Sequence, residues 1–228
     1  MRVLALDTSC AAASVAIYDA ATHETLACET REMAHGHAEA LAPMVERALM
    51  DLDGGVATIS RLAVCIGPGS FTGIRIGLAM ARAMGLALGA PVVGISTLAA
   101  FASPLLVNTA PGVIVSTIDA RHNQVYLQLF ELNGRPLFAP RVAKLRDAAR
   151  LIGGGPARIC GNAARLLGEE AERAGVEVEL FEAICPDIVA VAQLGAVLDP
   201  QTAQARPLYI KPPDAQPSEG YAVPRIDG

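Results

Sequence analysis

Short apolar runs alternate with longer amphipathic segments along the chain, and the order of these segments occurs twice. Residues 2–7 are apolar, end on Asp7 and predict a strand; Thr8 to Ala13 read as a small polar turn. Residues 14–19 alternate as a second strand, and roughly 24–32 form a third. A helix is predicted from about Gly36 to Leu52, with Leu41, Val45, Ala48 and Leu52 on one side and Pro43 kinking it or breaking its early hydrogen bonds. A strand near 62–66, a long helix from Ile74 to Leu88, a strand at 92–95 and a short helix from Thr97 to Ala102, stopped by Pro104, complete the series. Val113 to Ile118 restarts it and again ends on an aspartate, Asp119. Strands at 125–132 and 137–144 follow, then helix, strand and helix at 145–152, 157–160 and 162–174, a strand near 176–181 and a helix near 187–198. Two halves with one order predict a duplicated α/β fold, each lobe a mixed sheet with helices. The lobes are placed at 1–107 and 108–205, joined through Ser103 to Gly112, with a proline-rich extended tail over 206–228.

The segment Gly67-Pro68-Gly69-Ser70-Phe71-Thr72-Gly73 lies between the fourth strand and the long helix, and small residues then recur at Gly73, Gly77, Ala81, Gly85 and Gly89. Residues four apart share one helix face, so the stripe is nearly flat. An interior glycine costs a helix roughly 1 kcal/mol relative to alanine, so something packs very close to this face. The loop itself has two readings. Backbone amides at a helix start suit a phosphate, and Gly67, Gly69 and Ser70 are the candidate contacts; the other reading is a tight structural turn. It is neither a Walker loop, lacking Gly-Lys-Ser/Thr, nor a dinucleotide fingerprint, since Thr72 stands at the third glycine position.

Composition narrows the picture. The 228 residues are 52% hydrophobic with no Trp and 4% aromatic, so the core is aliphatic and small. A formal net charge of −5 argues against a stand-alone nucleic-acid binder. Five scattered cysteines without metal or CxxC spacing suit reduced thiols in a cytoplasm. Asp7 interrupts the short N-terminal apolar run, which does not read as a signal peptide. The apolar stretch Phe71 to Ala90 contains Arg75 and Arg82, each costing about 2.5–3.5 kcal/mol near a bilayer centre; a buried helix and no membrane are expected.

Asp7-Thr8-Ser9, the run His37 to Pro43, Gly67 to Gly77 (GPGSFTGIRIG), Asp119-Ala120-Arg121 with Val125-Tyr126, and Pro207-Leu208-Tyr209 occur in this order. The duplicated halves resemble the actin, sugar-kinase and Hsp70 (ASKHA) fold, and these motifs resemble the TsaB (YeaZ) family over nearly the whole chain. The resemblance implies a bacterial cytoplasmic protein needed to form threonylcarbamoyladenosine beside the tRNA anticodon. In that family it does no chemistry itself: it pairs with the catalytic paralogue TsaD, is joined by the ATPase TsaE and meets tRNA through the complex, while TsaC supplies threonylcarbamoyl-adenylate. The resemblance further implies that the first two long helices form a four-helix bundle with their TsaD equivalents. We expect the glycine face to pack on the chain's own sheet and Ile76, Met80, Ala83 and Ala87 to join Leu41, Val45 and Ala48 against the partner; the two faces exchanged is the other reading. The same surface would serve a homodimer of the chain alone.

In the fold at large the first turn holds a phosphate and the first-strand aspartate orders a magnesium. Here neither Thr8–Ala13 nor Ala120–Asn123 contains a glycine to let backbone approach a phosphate. Asp7 and Asp119 are candidate nucleotide contacts or turn caps. His35 and Glu39 stand at the positions of TsaD's two metal histidines, but two ligands make no site; no cofactor or metal is assigned, and His37 is expected to cap the helix or meet a partner. Residues 133–165 hold seven Lys or Arg against one acid, a solvated face or a tRNA-phosphate patch with Arg146 and Arg150 as contacts. The overall expectation is a non-catalytic scaffold subunit; the alternative is an active enzyme of this fold, a small-molecule kinase or an M22-like metallopeptidase.

Overall fold

The structure, a computed structural model, describes residues 1–106 and 111–211. The first half builds a sheet from β1 (Arg2–Cys10), β2 (Ala12–Asp19), β3 (Glu24–Glu32), β4 (Ile59–Gly67) and β5 (Val92–Ser96), in the order β3-β2-β1-β4-β5. The second half repeats it with β6 (Val113–Asp119), β7 (Gln124–Glu131), β8 (Arg141–Lys144), β9 (Ala157–Gly161) and β10 (Val178–Glu182), in the order β8-β7-β6-β9-β10. In both sheets the hairpin strands are antiparallel and the last two strands run parallel to the first. Parallel neighbours need crossover connections. α1 (His37–Met50) and α2 (Phe71–Leu88) supply them in the first half, α4 (Leu145–Ile152) and α5 (Ala164–Arg173) in the second, and α3 (Thr97–Ala102) and α6 (Ile188–Val197) close the two halves. This is the duplicated ASKHA-type α/β fold.

Strand β1 is apolar over Val3–Leu6 because both faces of its sheet are covered. Leu4 and Leu6 pack with Leu41, Met44, Ile74 and Leu78 of α1 and α2. Val3 and Ala5 point the other way, toward Ile188, Val191 and Ala192 of α6. The two closing helices are exchanged: α6 covers the first sheet, while Leu98, Phe101 and Ala102 of α3 pack with Ile114, Ile118 and Phe130 of the second.

Three expectations change and one, at Pro43, is met. Thr8 and Ser9 are buried strand residues, not part of a turn, and the reversal is compressed to Ala11. Their polar groups are satisfied inside, Thr8 Oγ1 donating to the Gly73 carbonyl (2.7 Å), so they need no solvent. The strand expected over 137–144 is confined to Arg141–Lys144, because Pro136 and Pro140 carry no amide hydrogen for a ladder. Pro43 breaks an early hydrogen bond of α1 as expected: it leaves the Glu39 carbonyl free, and both residues lie on the exposed side of an unbroken helix. Gly89 is not part of the glycine stripe but caps α2 with φ 63°. Of the linker, Ser103–Leu105 is a 3-10 turn; residues 107–110, and the tail beyond Lys211, lie outside the described residues.

Candidate functional site

The α2 start is built for close packing. Ser70 is its N-cap, its Oγ accepting from the Gly73 amide (3.2 Å), while its own amide donates to the Ser9 carbonyl (2.8 Å). A Cβ at Gly73 would stand 1.9 Å from the Thr8 carbonyl oxygen, and one at Gly69 would stand 2.2 Å from that of Ser9. Gly77 and Gly85 are as tightly placed, against Thr8 and Val92. The glycine face therefore lies on the chain's own sheet. This is the geometry of a tight structural turn, with two of the amides that a phosphate would need already engaged.

Asp7, next to Thr8 on β1, has no accessible surface. One carboxyl oxygen accepts from the Ser9 amide (2.8 Å), and the other has no hydrogen-bond partner among the described residues. Burial pushes its carboxyl up from the ordinary range, against the hydrogen bonds to Ser9 that hold it down. Asp119, its counterpart on β6, is exposed and caps its own turn, accepting from the Arg121 amide (2.8 Å). His37 is buried and neither caps α1 nor faces outward: its Nε2 lies 3.1 Å from the Cys10 carbonyl, so that nitrogen carries the proton and ties α1 to the β1–β2 turn. Gly36, at φ 84°, puts His35 outside the helix, so His35 and Glu39 do not share a helical face.

Between α1 and α2 runs an open, mostly apolar groove of about 600 Å³, lined by Val45, Leu49, Met50, Val56 and Met80 among others. The residues expected at a partner surface divide by burial. Leu41 has no exposure and Val45 has 5%, because both are spent on the first core; Leu41 cannot line an interface, a correction to the sequence reading. Met80 lines the groove and is half-buried, as are Ala48 and Ile76, while Ala83 and Ala87 are exposed. Sequence reasoning missed Leu49, Met50 and Leu86. Met50 is 70% and Leu86 87% exposed. The i,i+4 continuation Leu41-Val45-Leu49 was a usable signal for the first.

Arg75 and Arg82 serve the tail. Arg75 Nε donates to the Tyr209 hydroxyl (3.1 Å), its guanidinium stacks 3.8 Å from the Phe71 ring centre, and that ring lies 5.1 Å from Tyr209. Arg82 donates to the Ala205 carbonyl (3.1 Å). The Gly94 amide donates to the Ala203 carbonyl (2.9 Å) and the Leu208 amide to that of Ile66 (2.8 Å), so the chain passes the β5 edge just before the tail and the tail begins at the end of β4.

The basic stretch is largely neutralised from elsewhere. Arg146 pairs with Glu170, Arg158 with Glu179 and Arg165 with Glu182, while Arg150 and Arg135 meet Asp147 and Glu131. A second cleft, of about 430 Å³, is lined by Glu32, Gly161, Asn162, Glu182, Ile184 and Cys185. Burial and nearby Asp7 push the Cys185 thiol up to about 11.

Residues 30–193 match the family profile "TsaD: tRNA N6-adenosine threonylcarbamoyltransferase". The chain is 34% identical over 236 residues to an uncharacterized protein of Mycobacterium leprae, a match covering 99% of this chain and 59% of that one. It is 39% identical over 129 residues to the tRNA threonylcarbamoyladenosine biosynthesis protein TsaB of Escherichia coli, covering 55% of this chain and 53% of that one. Matched stretches thus span between half and three-fifths of these two relatives. Among solved structures, YeaZ from Pseudomonas aeruginosa superposes with a TM-score of 0.76 at 25% identity, over 91% of this chain and 99% of that one. A polyphosphate/ATP-glucomannokinase from Arthrobacter shares the fold, with a TM-score of 0.53 at 13% identity, over 86% of this chain and 98% of that one. With its motif order, its duplicated sheets and these likenesses, the chain belongs to the TsaB (YeaZ) family, inside the wider group that the TsaD profile describes.

Proposed function

We propose that the chain is a non-catalytic scaffold subunit of the assembly that forms threonylcarbamoyladenosine on tRNA. It pairs through the α1–α2 groove with a TsaD-type catalytic paralogue, and a TsaE-type ATPase joins the pair. The observation that carries this reading is the contrast between the two places where the chain could act. The α1–α2 surface is open and apolar, with Met50 largely exposed at it; such patches mark protein contacts. Where a kinase of this fold would hold its nucleotide, the end of β1 is sealed and Asp119 at the end of β6 is spent on its own turn.

A magnesium–nucleotide does not fit the residues present. Asp7 has no accessible surface, and burial favours its uncharged form. Gly69 and Gly73 are filled by the carbonyls of β1. The cleft between Gly161 and Cys185 offers the carboxylate of Glu32, and that of Glu182 is already taken by Arg165. No catalytic step is assigned to this chain.

We predict that the purified chain neither hydrolyses ATP nor cleaves peptides, and that it restores threonylcarbamoyl transfer to tRNA when added to its TsaD- and TsaE-type partners. ATP turnover by the chain alone, abolished by Asp7→Asn, would contradict the scaffold reading.

A further inference from the structure

The β6–β7 hairpin reverses through Arg121, His122 and Asn123, which have φ of 62°, 51° and 60°. L side chains adopt this left-handed region at a steric cost, and single Asn or Gly residues are its usual occupants. Asn123 suits it; Arg121 and His122 do not. A two-residue Asn-Gly turn would reverse the chain without strain. Strain of this kind persists where the side chains are needed.

Both side chains are exposed. The neighbouring carboxylate, Asp119, is spent on the Arg121 amide and not on its guanidinium. Strand pairing sets Lys144 opposite Gln124, and the Leu145 amide donates to the Asn123 carbonyl (3.2 Å), so the exposed Lys144 stands beside the hairpin tip. Among the described residues neither Arg121 nor Lys144 has an ion pair, whereas Arg146, Arg150, Arg158 and Arg165 all do. Arg141, stacked on the Phe138 ring at the other end of β8, is unpaired among them too, but the 146–165 arginines are neutralised and two unpaired cations meet at the hairpin.

We infer that the β6–β7 hairpin, with Arg121, His122 and Lys144, is a contact for the phosphate backbone of a nucleic acid. The inference rests on the reading above, in which the assembly acts on tRNA. On a chain of net charge −5, an unneutralised cationic tip suits a polyanion. The turn fixes the direction in which the Arg121 side chain leaves the backbone. The contact positions the nucleic acid and reads no sequence.

The test uses the chain paired with its TsaD-type partner and an unmodified tRNA transcript. Arg121→Asn relieves the strain while removing the charge, and is combined with Lys144→Ala. The double variant should melt no lower than the wild type and should pair normally. It should bind the transcript about tenfold more weakly near 0.1 M salt, with a salt slope lower by about one to two. Arg121→Lys with Lys144→Arg should keep the slope, and Arg165→Ala, whose guanidinium is held by Glu182, should change neither quantity. Wild-type affinity and slope in the double variant would overturn the inference. So would a folded double variant that no longer pairs, since the cluster would then belong to the protein interface. A wild-type chain that does not pair at all overturns the scaffold reading and this inference with it.

Discussion

Asp7 is enclosed at the end of β1 by residues that arrive from far along the chain, and this fixes its behaviour. Its carboxyl is raised in the fold, chiefly by burial, above the roughly 3.9 of an exposed aspartate. A raised carboxyl adds stability that is fully present below the unfolded value and lost as pH rises through the folded value. Asp7→Asn keeps an oxygen for the Ser9 amide and cannot ionise. We predict that the melting temperature of Asp7→Asn minus that of wild type grows as pH is raised from about 4 toward 7. A difference constant across this range would show that Asp7 is not held against its charge. The sequence presented Asp7 as a strand-end aspartate but not as a sealed one, because the groups that act on it include His37 and Cys65 from other elements. Arg75 and Arg82 were legible as charges in an apolar helix; their partners Tyr209 and Ala205 are more than a hundred residues away, where no local pattern reaches.

At the scale of the element, α2 carries two surfaces on one helix. Gly73, Gly77, Ala81 and Gly85 are buried against the sheet, and Met80 lies half-buried at the groove toward α1. Ala81→Leu should overpack the first core and lower stability by about 1–3 kcal/mol in thermal or denaturant melts. Met80→Glu should leave the melt within about 0.5 kcal/mol of wild type, as surface changes usually do. If Met80→Glu unfolds the chain while Ala81→Leu does not, the two faces are wrongly assigned. Both surfaces were legible because helix periodicity separates them. The limits of β8 and the β1–β2 turn were not: the first depends on which amides prolines remove, and the second on polar side chains finding partners inside the fold.

At the scale of the molecule, the exchanged helices α3 and α6 couple the two sheets. Arg61 on β4 fastens α6 by donating to the carbonyls of Gly195, Ala196 and Leu198 (3.0, 3.0 and 2.9 Å), a cation at a helix C-terminus. Arg61→Met should cost about 1.5–3 kcal/mol. It should lower one cooperative transition seen by probes in either half; two separated transitions would show that the lobes fold independently. The duplication was legible from the repeated strand–Asp–strand order. The exchange of α3 and α6 was not, because both are short and apolar and nothing local says which sheet they cover. The central claim remains that this chain acts by holding a partner. It is tested most directly by measuring the mass of the species formed with its TsaD-type paralogue by size-exclusion with light scattering. The account predicts a heterodimer with the wild-type chain and two separate proteins with Met80→Glu of unchanged melting temperature. A wild-type chain that elutes apart from the paralogue, or a Met80→Glu chain that pairs like wild type, would contradict it.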